Sequence, residues 1–315
     1  MTGLWTRYVD FWREKEAPDI LALGRICFGV AVVANIADPL LNGTLLELYA
    51  SPEHGGIFPF QNTHTWTLFA LFPPTATAVY ALGISTLTAG IGFTLGIYTR
   101  AMALALFVLH MTLTSRLGFF AFGADNVFRV FSFLMVLAPV GSCWSLDSAW
   151  RGRGQEWVPA WPRRLIIAQI TVLYVQTGVL KLGSTWTFLD GWSALYYALN
   201  LPYFARFDGS WAAWAYPLTQ IATFVSRWWE IGFFLLPLAM FLGRTPDRGG
   251  RLRQWVARTD FRPPVLGIGV VLHLSLAATM DLGMFPWVML SLYPFFLTAS
   301  EARRVMSAVG RQPPS

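Results

Sequence analysis

From Asp19 to Leu41 the chain reads "DILALGRICFGVAVVANIADPLL", with charge only at Asp19, Arg25 and Asp38. A run of about 20 apolar residues crosses the hydrocarbon core of a bilayer as one helix. Such runs recur at 19–41, 75–99, 100–117, 125–142, 164–182, 212–243, 264–283 and 284–300. They predict an all-α fold, a polytopic transmembrane helix bundle of about eight spans with no soluble domain. At 55% hydrophobic and 13% charged, the chain carries more apolar surface than a soluble domain can hide.

The net charge of +6 invites a nucleic-acid reading, but its distribution argues against one. The basic residues fall in short segments between apolar runs: Arg7, Arg13 and Lys15; Arg100; Arg151, Arg153, Arg163 and Arg164; Arg244, Arg248, Arg251, Arg253, Arg258 and Arg262; Arg303, Arg304 and Arg311. Positive charge of this kind orients a membrane protein, which predicts both termini in the cytoplasm and an even number of crossings. The expected layout is an N-terminal segment 1–18, a membrane domain 19–300 and a cytoplasmic tail 301–315. In the first segment Leu4, Trp5, Tyr8, Phe11 and Trp12 share one helical face. An amphipathic helix lying in the interface and a polar leader with incidental aromatics both fit.

Nothing points to a metal. Cys27 and Cys143 form no CxxC, and His54, His64, His110 and His273 are scattered. No GxSxG, P-loop or HExxH is present. Ionisable residues inside spans are costly and usually face a bundle interior, so they are the better guide. They are Arg25, Asp38, His110, Asp125, Arg129, Lys181, Arg227, Glu230, His273 and Asp281. Asp125 and Arg129 are four apart and Arg227 and Glu230 three apart, so each pair can neutralise itself on one helix face. His110 faces no obvious partner, and His273 lies near the middle of its run, as a core histidine or as a contact to a buried polar ligand.

Lys181 stands out because only two of the 23 basic residues are lysine, Lys15 and Lys181. A buried ammonium can give up its proton whereas a guanidinium cannot, so a lysine here suits a general base. A lysine at a span end can equally snorkel to the interface. Spacing alone leaves both readings open. The following loop, about 183–211, holds "DGWSALYYALNLPYFARFDGSW" and suggests a half-buried helix and a turn. It reads either as a lid over a lipid-accessible cavity or as an aromatic belt at the membrane surface.

Several stretches together resemble the transmembrane part of vitamin K-dependent γ-glutamyl carboxylases and their bacterial relatives, the horizontally transferred transmembrane (HTTM) family. They are "WSLDS" (Trp144 to Ser148), "QITVLYVQTGVLKLGSTWTFLDGW" with Tyr174, Gly178, Lys181 and Trp186, the acidic Glu230, and "LHLSLAATMDLGMFPWVML" with His273. The resemblance spans about residues 20 to 300. It implies that Lys181 is the base that deprotonates reduced vitamin K, a phylloquinol or menaquinol. The anion then reacts with O2, a γ-proton leaves a glutamate, CO2 is captured and the quinone departs as an epoxide.

It further implies that His273, Glu230, Arg227, Trp186, Asp125, Asn126 and Tyr174 line the cavity. The cofactors would be the quinol, O2 and, if carboxylation occurs, CO2, with no metal. The partners would be membrane lipid, the naphthohydroquinone and a peptide or protein outside the cytoplasm, in a bacterial cytoplasmic membrane. Two departures stand out: Leu180 precedes Lys181 where the animal enzymes have a second lysine, and Asp125–Asn126 stand where they have a histidine. The family's large luminal domain is also expected to lack a counterpart, since the chain stops soon after Arg304. Hydroquinone oxygenation without carboxylation is one expectation. A non-enzymatic quinone- or lipid-binding protein that assists peptide maturation or export is the other. A transporter fits less well, without paired broken helices or an internal repeat.

Overall fold

A computed structural model describes residues 2–57, 66–117, 123–152, 154–244 and 249–310. His64, Arg153, Arg248 and Arg311 lie outside these residues, as do the side chains of Leu4 and Arg7. The chain is helical almost throughout. In order come α1 (Thr2–Arg13), α2 (Asp19–Leu41), α3 (Leu45–Tyr49), α4 (Ala76–Leu95), α5 (Thr99–Thr114), α6 (Gly123–Leu137) and α7 (Leu146–Trp150). They are followed by α8 (Trp161–Val179), α9 (Ala194–Asn200), α10 (Tyr216–Gly232) and α11 (Leu235–Gly243). The last are α12 (Gly250–Arg258), α13 (Arg262–Thr279), α14 (Phe285–Ser291) and α15 (Ala299–Ala308). Two short strands, β1 (Lys15–Glu16) and β2 (Val158–Pro159), pair antiparallel.

Among the described residues α2, α4 and α13 are long and apolar enough to cross a membrane, and α10 with α11 makes a fourth if the two act as one span. α5 and Phe285–Phe296 are apolar but shorter. Helix length and composition among the described residues thus supply three or four of the eight expected spans. α6 has only 15 residues, and α8 opens with Arg163 and Arg164 and carries Gln169 and Gln176. The run 212–243 is not one straight helix either, because α10 and α11 meet at a 44° bend.

The chain divides into two compact units, one of residues 1–166 and 287–315 and the other of 167–286. In the first, α2, α4, α5 and α6 pack in sequence, and Phe28 meets Phe93 and Phe128 at centroid distances of 6.4 and 5.8 Å. Buried Arg25 sends its guanidinium to the carbonyls of Val140 (3.1 Å) and Trp144 (2.5 Å), which is how this costly charge is held inside. The "WSLDS" stretch is a junction. Ser145 and Ser148 form a capping box on α7, and Asp147 accepts from the Tyr98 and Thr99 amides at 2.8 Å and the Thr99 hydroxyl at 2.6 Å, capping α5. In the same region of this unit Glu16 pairs with Arg163 at 3.0 Å, Glu14 with Arg164, and Asp19 with Arg303 at 2.8 Å. Trp5 and Tyr8 on α1 stack at 5.7 Å and stand exposed.

In the second unit prolines in the first helical turn follow helix rules, with Pro217 opening α10 and Pro263 opening α13, where no amide donor is needed. The loop 183–211 holds two single-turn helices, Ser184–Trp186 and Phe188–Asp190, and then α9. Beyond it Leu199, Ala212 and Met280 form a small core, and Asp281 N–H donates to Phe204 O at 2.8 Å.

Candidate functional site

The second unit contains a cavity of about 820 Å³, within the range of small-molecule sites. Helices α8, α9, α10 and α13 supply most of its walls. α8 contributes Leu173, Tyr174 and Thr177, three to four residues apart; α10 contributes Leu218, Ile221, Val225 and Trp229; α13 contributes Ile268, Leu272, His273 and Leu276; α9 contributes Leu195 and Ala198. The walls are apolar and aromatic, and the polar groups gather at two places.

At the first, Lys181 Nζ donates to Glu230 Oε2 at 2.6 Å and to Ser226 Oγ at 3.3 Å. The same nitrogen lies 4.4 Å from the centre of the Trp186 ring, a cation–π contact. Lys181 is not on a helix. α8 stops at Val179, and Lys181 leaves on the segment beyond it, so the expectation that it ends a span is corrected by two residues. What brings it to Glu230 is Gly178, where α8 runs against α10 with no side chain between them. A Cβ there would stand 2.8 Å from Ile231 N and 2.9 Å from Glu230 Cβ. At the second place Tyr174 Oη and His273 Nε2 are 2.8 Å apart, with Trp229 and Phe233 against the Tyr174 ring and Phe285 against His273.

Lys181, Glu230, Trp186, Tyr174 and His273 thus line one cavity. The two helix-spaced pairs read from the sequence do not form. Arg227 turns from Glu230 and donates to the Trp186 carbonyl at 2.6 Å, leaving the carboxylate to Lys181. Asp125 and Asn126 belong to the first unit. Arg129 there donates to Asn126 Oδ1 at 2.8 Å, and Asp125 Oδ1 lies 3.6 Å from His110 Nε2, too far for a hydrogen bond. His110 therefore has the partner its sequence context did not show. The sequence reading missed Ser226, Trp229, Thr177 and Phe285. Ser226 carried a signal, standing one helical turn before Glu230. Among the described residues no three His, Cys, Asp or Glu side chains gather as a metal site.

A family model for the HTTM domain matches residues 13–236. The chain belongs to the HTTM family. The match takes in Lys181, Trp186, Arg227 and Glu230 and stops before His273 and Phe285, so the HTTM region supplies the charged end of the cavity while α13 lies past it. With its apolar helices, this makes the chain a membrane protein. No curated protein and no solved structure matches it.

Proposed function

We propose that this HTTM protein is a membrane enzyme that deprotonates a reduced naphthoquinone for oxygenation, with Lys181 and Glu230 as its proton-accepting pair. The observation that carries the reading is the 2.6 Å contact of Lys181 Nζ with Glu230 Oε2 on the wall of an otherwise apolar cavity. The residues present fit a flat aromatic diol: Trp186, Trp229, Tyr174 and Phe285 offer ring faces, and the pair offers a polar end for a phenolic O–H. Reduced naphthoquinone, when bound, supplies the electrons that O2 takes up. The chain's own task is the proton. Lys181 Nζ passes a proton to Glu230 Oε2 along their existing bond, takes the phenolic proton in its place, and leaves an ammonium beside a carboxylic acid. The apolar walls keep bulk water from competing.

The resemblance to the vitamin K-dependent carboxylases supports this reading and extends it to glutamate carboxylation with CO2. The substrate would be a peptide or protein on the extracytoplasmic side of a bacterial cytoplasmic membrane. The test is purified protein in lipid nanodiscs with reduced menaquinone and O2. Quinone epoxide should form, and both Lys181→Ala and Lys181→Arg should lower its rate by about 10²- to 10⁴-fold, because arginine keeps the charge but cannot act as a base. Absence of epoxide from the wild type, or full activity in Lys181→Ala, overturns the proposal. Labelled bicarbonate appearing in an added glutamate peptide would extend it to carboxylation.

A second reading is favoured by how fully the Lys181 amine is engaged by Glu230, Ser226 and Trp186. In it the cavity only binds quinone or lipid and the protein assists peptide maturation or export. Lys181→Ala would then leave peptide maturation intact.

A further inference from the structure

The loop that roofs the cavity is fastened to α10 along one helix face. Gln220 Nε2 donates to Gly191 O at 2.5 Å, Thr223 Oγ1 accepts from Leu195 N–H at 3.1 Å, and Arg227 Nη1 donates to Trp186 O at 2.6 Å. Residues 220, 223 and 227 recur at helical spacing, so one stripe of α10 holds three backbone points of the roof, and the neighbouring stripe, together with Thr223, lines the cavity. The roof's own lining residues, Trp186, Leu195 and Ala198, are half-buried.

The flank between α10 and α13 is different. Trp229 Nε1 donates to Val265 O at 2.9 Å and ties the two helices at one point. Away from it, four aliphatic cavity-lining side chains stand exposed, Leu218 (67%) and Ile221 (59%) on α10 and Ile268 (42%) and Val271 (64%) on α13, with Gly267 and Ser275 of α13 exposed among them. A residue that both lines a cavity and faces outward marks its mouth, and a mouth of aliphatic side chains with a single hydroxyl, that of Ser275, suits hydrocarbon and a lipid-dissolved ligand better than water and a polar one.

We propose that the cavity is loaded sideways, between α10 and α13, by a lipid-dissolved molecule whose hydrocarbon chain stays in that slot while the roof remains fastened. The function proposed above enters only through the identity of the head group. The slot selects for a chain, and the polar pair at Lys181 selects what the chain carries.

The test uses full-length protein in nanodiscs and three probes: phylloquinone, which has a long chain; menadione, the same ring system without one; and doxyl-stearate, a chain without the ring. Uptake is measured as probe retained through size-exclusion chromatography. Ile221→Phe with Val271→Phe should cut phylloquinone uptake at least about tenfold, the effect of about two lost methylene contacts, and cut menadione uptake by a smaller factor, since menadione has no chain to seat in the slot. Ile268→Phe provides a milder filler should the double variant fold poorly. In a background with Cys27 and Cys143 replaced by serine, a disulfide between Leu195→Cys and Thr223→Cys should lock the roof without slowing uptake. Normal phylloquinone uptake by the slot-filled proteins, or uptake abolished by the roof disulfide, overturns the proposal. If the wild type takes up doxyl-stearate through the slot but neither quinone, the quinone function fails and the sideways loading stands. If none of the three probes is retained, the sideways loading fails too.

Discussion

Lys181 Nζ meets Glu230 Oε2 at 2.6 Å, although the two residues lie 49 positions apart and Arg227 stands one turn from Glu230 on its own helix. Their side chains are 18% and 17% exposed, so water screens the pair little. Glu230→Gln keeps the oxygen acceptor but removes both the counter-charge and the proton store. It should lower epoxide formation to near the Lys181→Ala level and cost about 2 kcal/mol of stability, read from thermal unfolding in nanodiscs. Unchanged turnover in Glu230→Gln would leave Lys181 acting alone.

Gly178 sets the approach of α8 to α10. Gly178→Ala places a methyl group against Ile231 N and Glu230 Cβ, and because one of these is backbone the helices themselves must part. A displacement of about 1 Å between the reacting groups should lower turnover by up to about 100-fold with every titratable group still present. Wild-type turnover in Gly178→Ala would show that the close approach does not matter to the chemistry.

Arg25 should matter for stability alone. Arg25→Met removes the donor to the Val140 and Trp144 carbonyls inside the first unit, and should cost about 3 kcal/mol. Quinone uptake per folded molecule should not change. A melting temperature equal to that of the wild type would argue that the guanidinium is dispensable there.

Asp147 gives a pH signature. Burial pushes its carboxyl up, but hydrogen bonds from the Thr99 hydroxyl and from the Thr99 and Tyr98 amides outweigh that and hold it below the usual carboxylate range. A carboxyl whose folded value is depressed contributes stability that is present above its unfolded value of about 3.9 and is lost as pH falls through the folded value. Thermal stability should therefore drop below about pH 4. Asp147→Asn should be less stable by about 1 kcal/mol at neutral pH and show a smaller acid-induced loss. An unchanged acid limb in the variant would place the loss at other carboxyls.

The helical character and the HTTM relationship were legible because apolar runs and ordered motifs are one-dimensional signals. Tyr174, Lys181, Trp186, Glu230 and His273, singled out in the sequence, do share one cavity. The pairings were not legible, since spacing sees only neighbours on the same helix. Arg227 looked matched to Glu230, yet the Trp186 carbonyl, 41 positions away, accepts its hydrogen bond. Asp125 looked matched to Arg129, yet His110 from α5 approaches it. The sequence put the end of this span near 182, whereas α8 ends at Val179, because Leu180 and Leu182 prolong the apolar pattern past the last helical residue.

The two stripes of α10 carry a consequence for changes in length. Each added residue turns everything after it by about 100°, so one insertion between Thr223 and Val225 would swing Ser226, Arg227 and Glu230 off their partners while Gln220 and Thr223 still held the loop. The helix should therefore accept substitution on its outward side more readily than insertion or deletion across that stretch. Relatives that keep the lysine chemistry should therefore vary in loop length on either side of this helix and hold the count of residues from 220 to 230 constant.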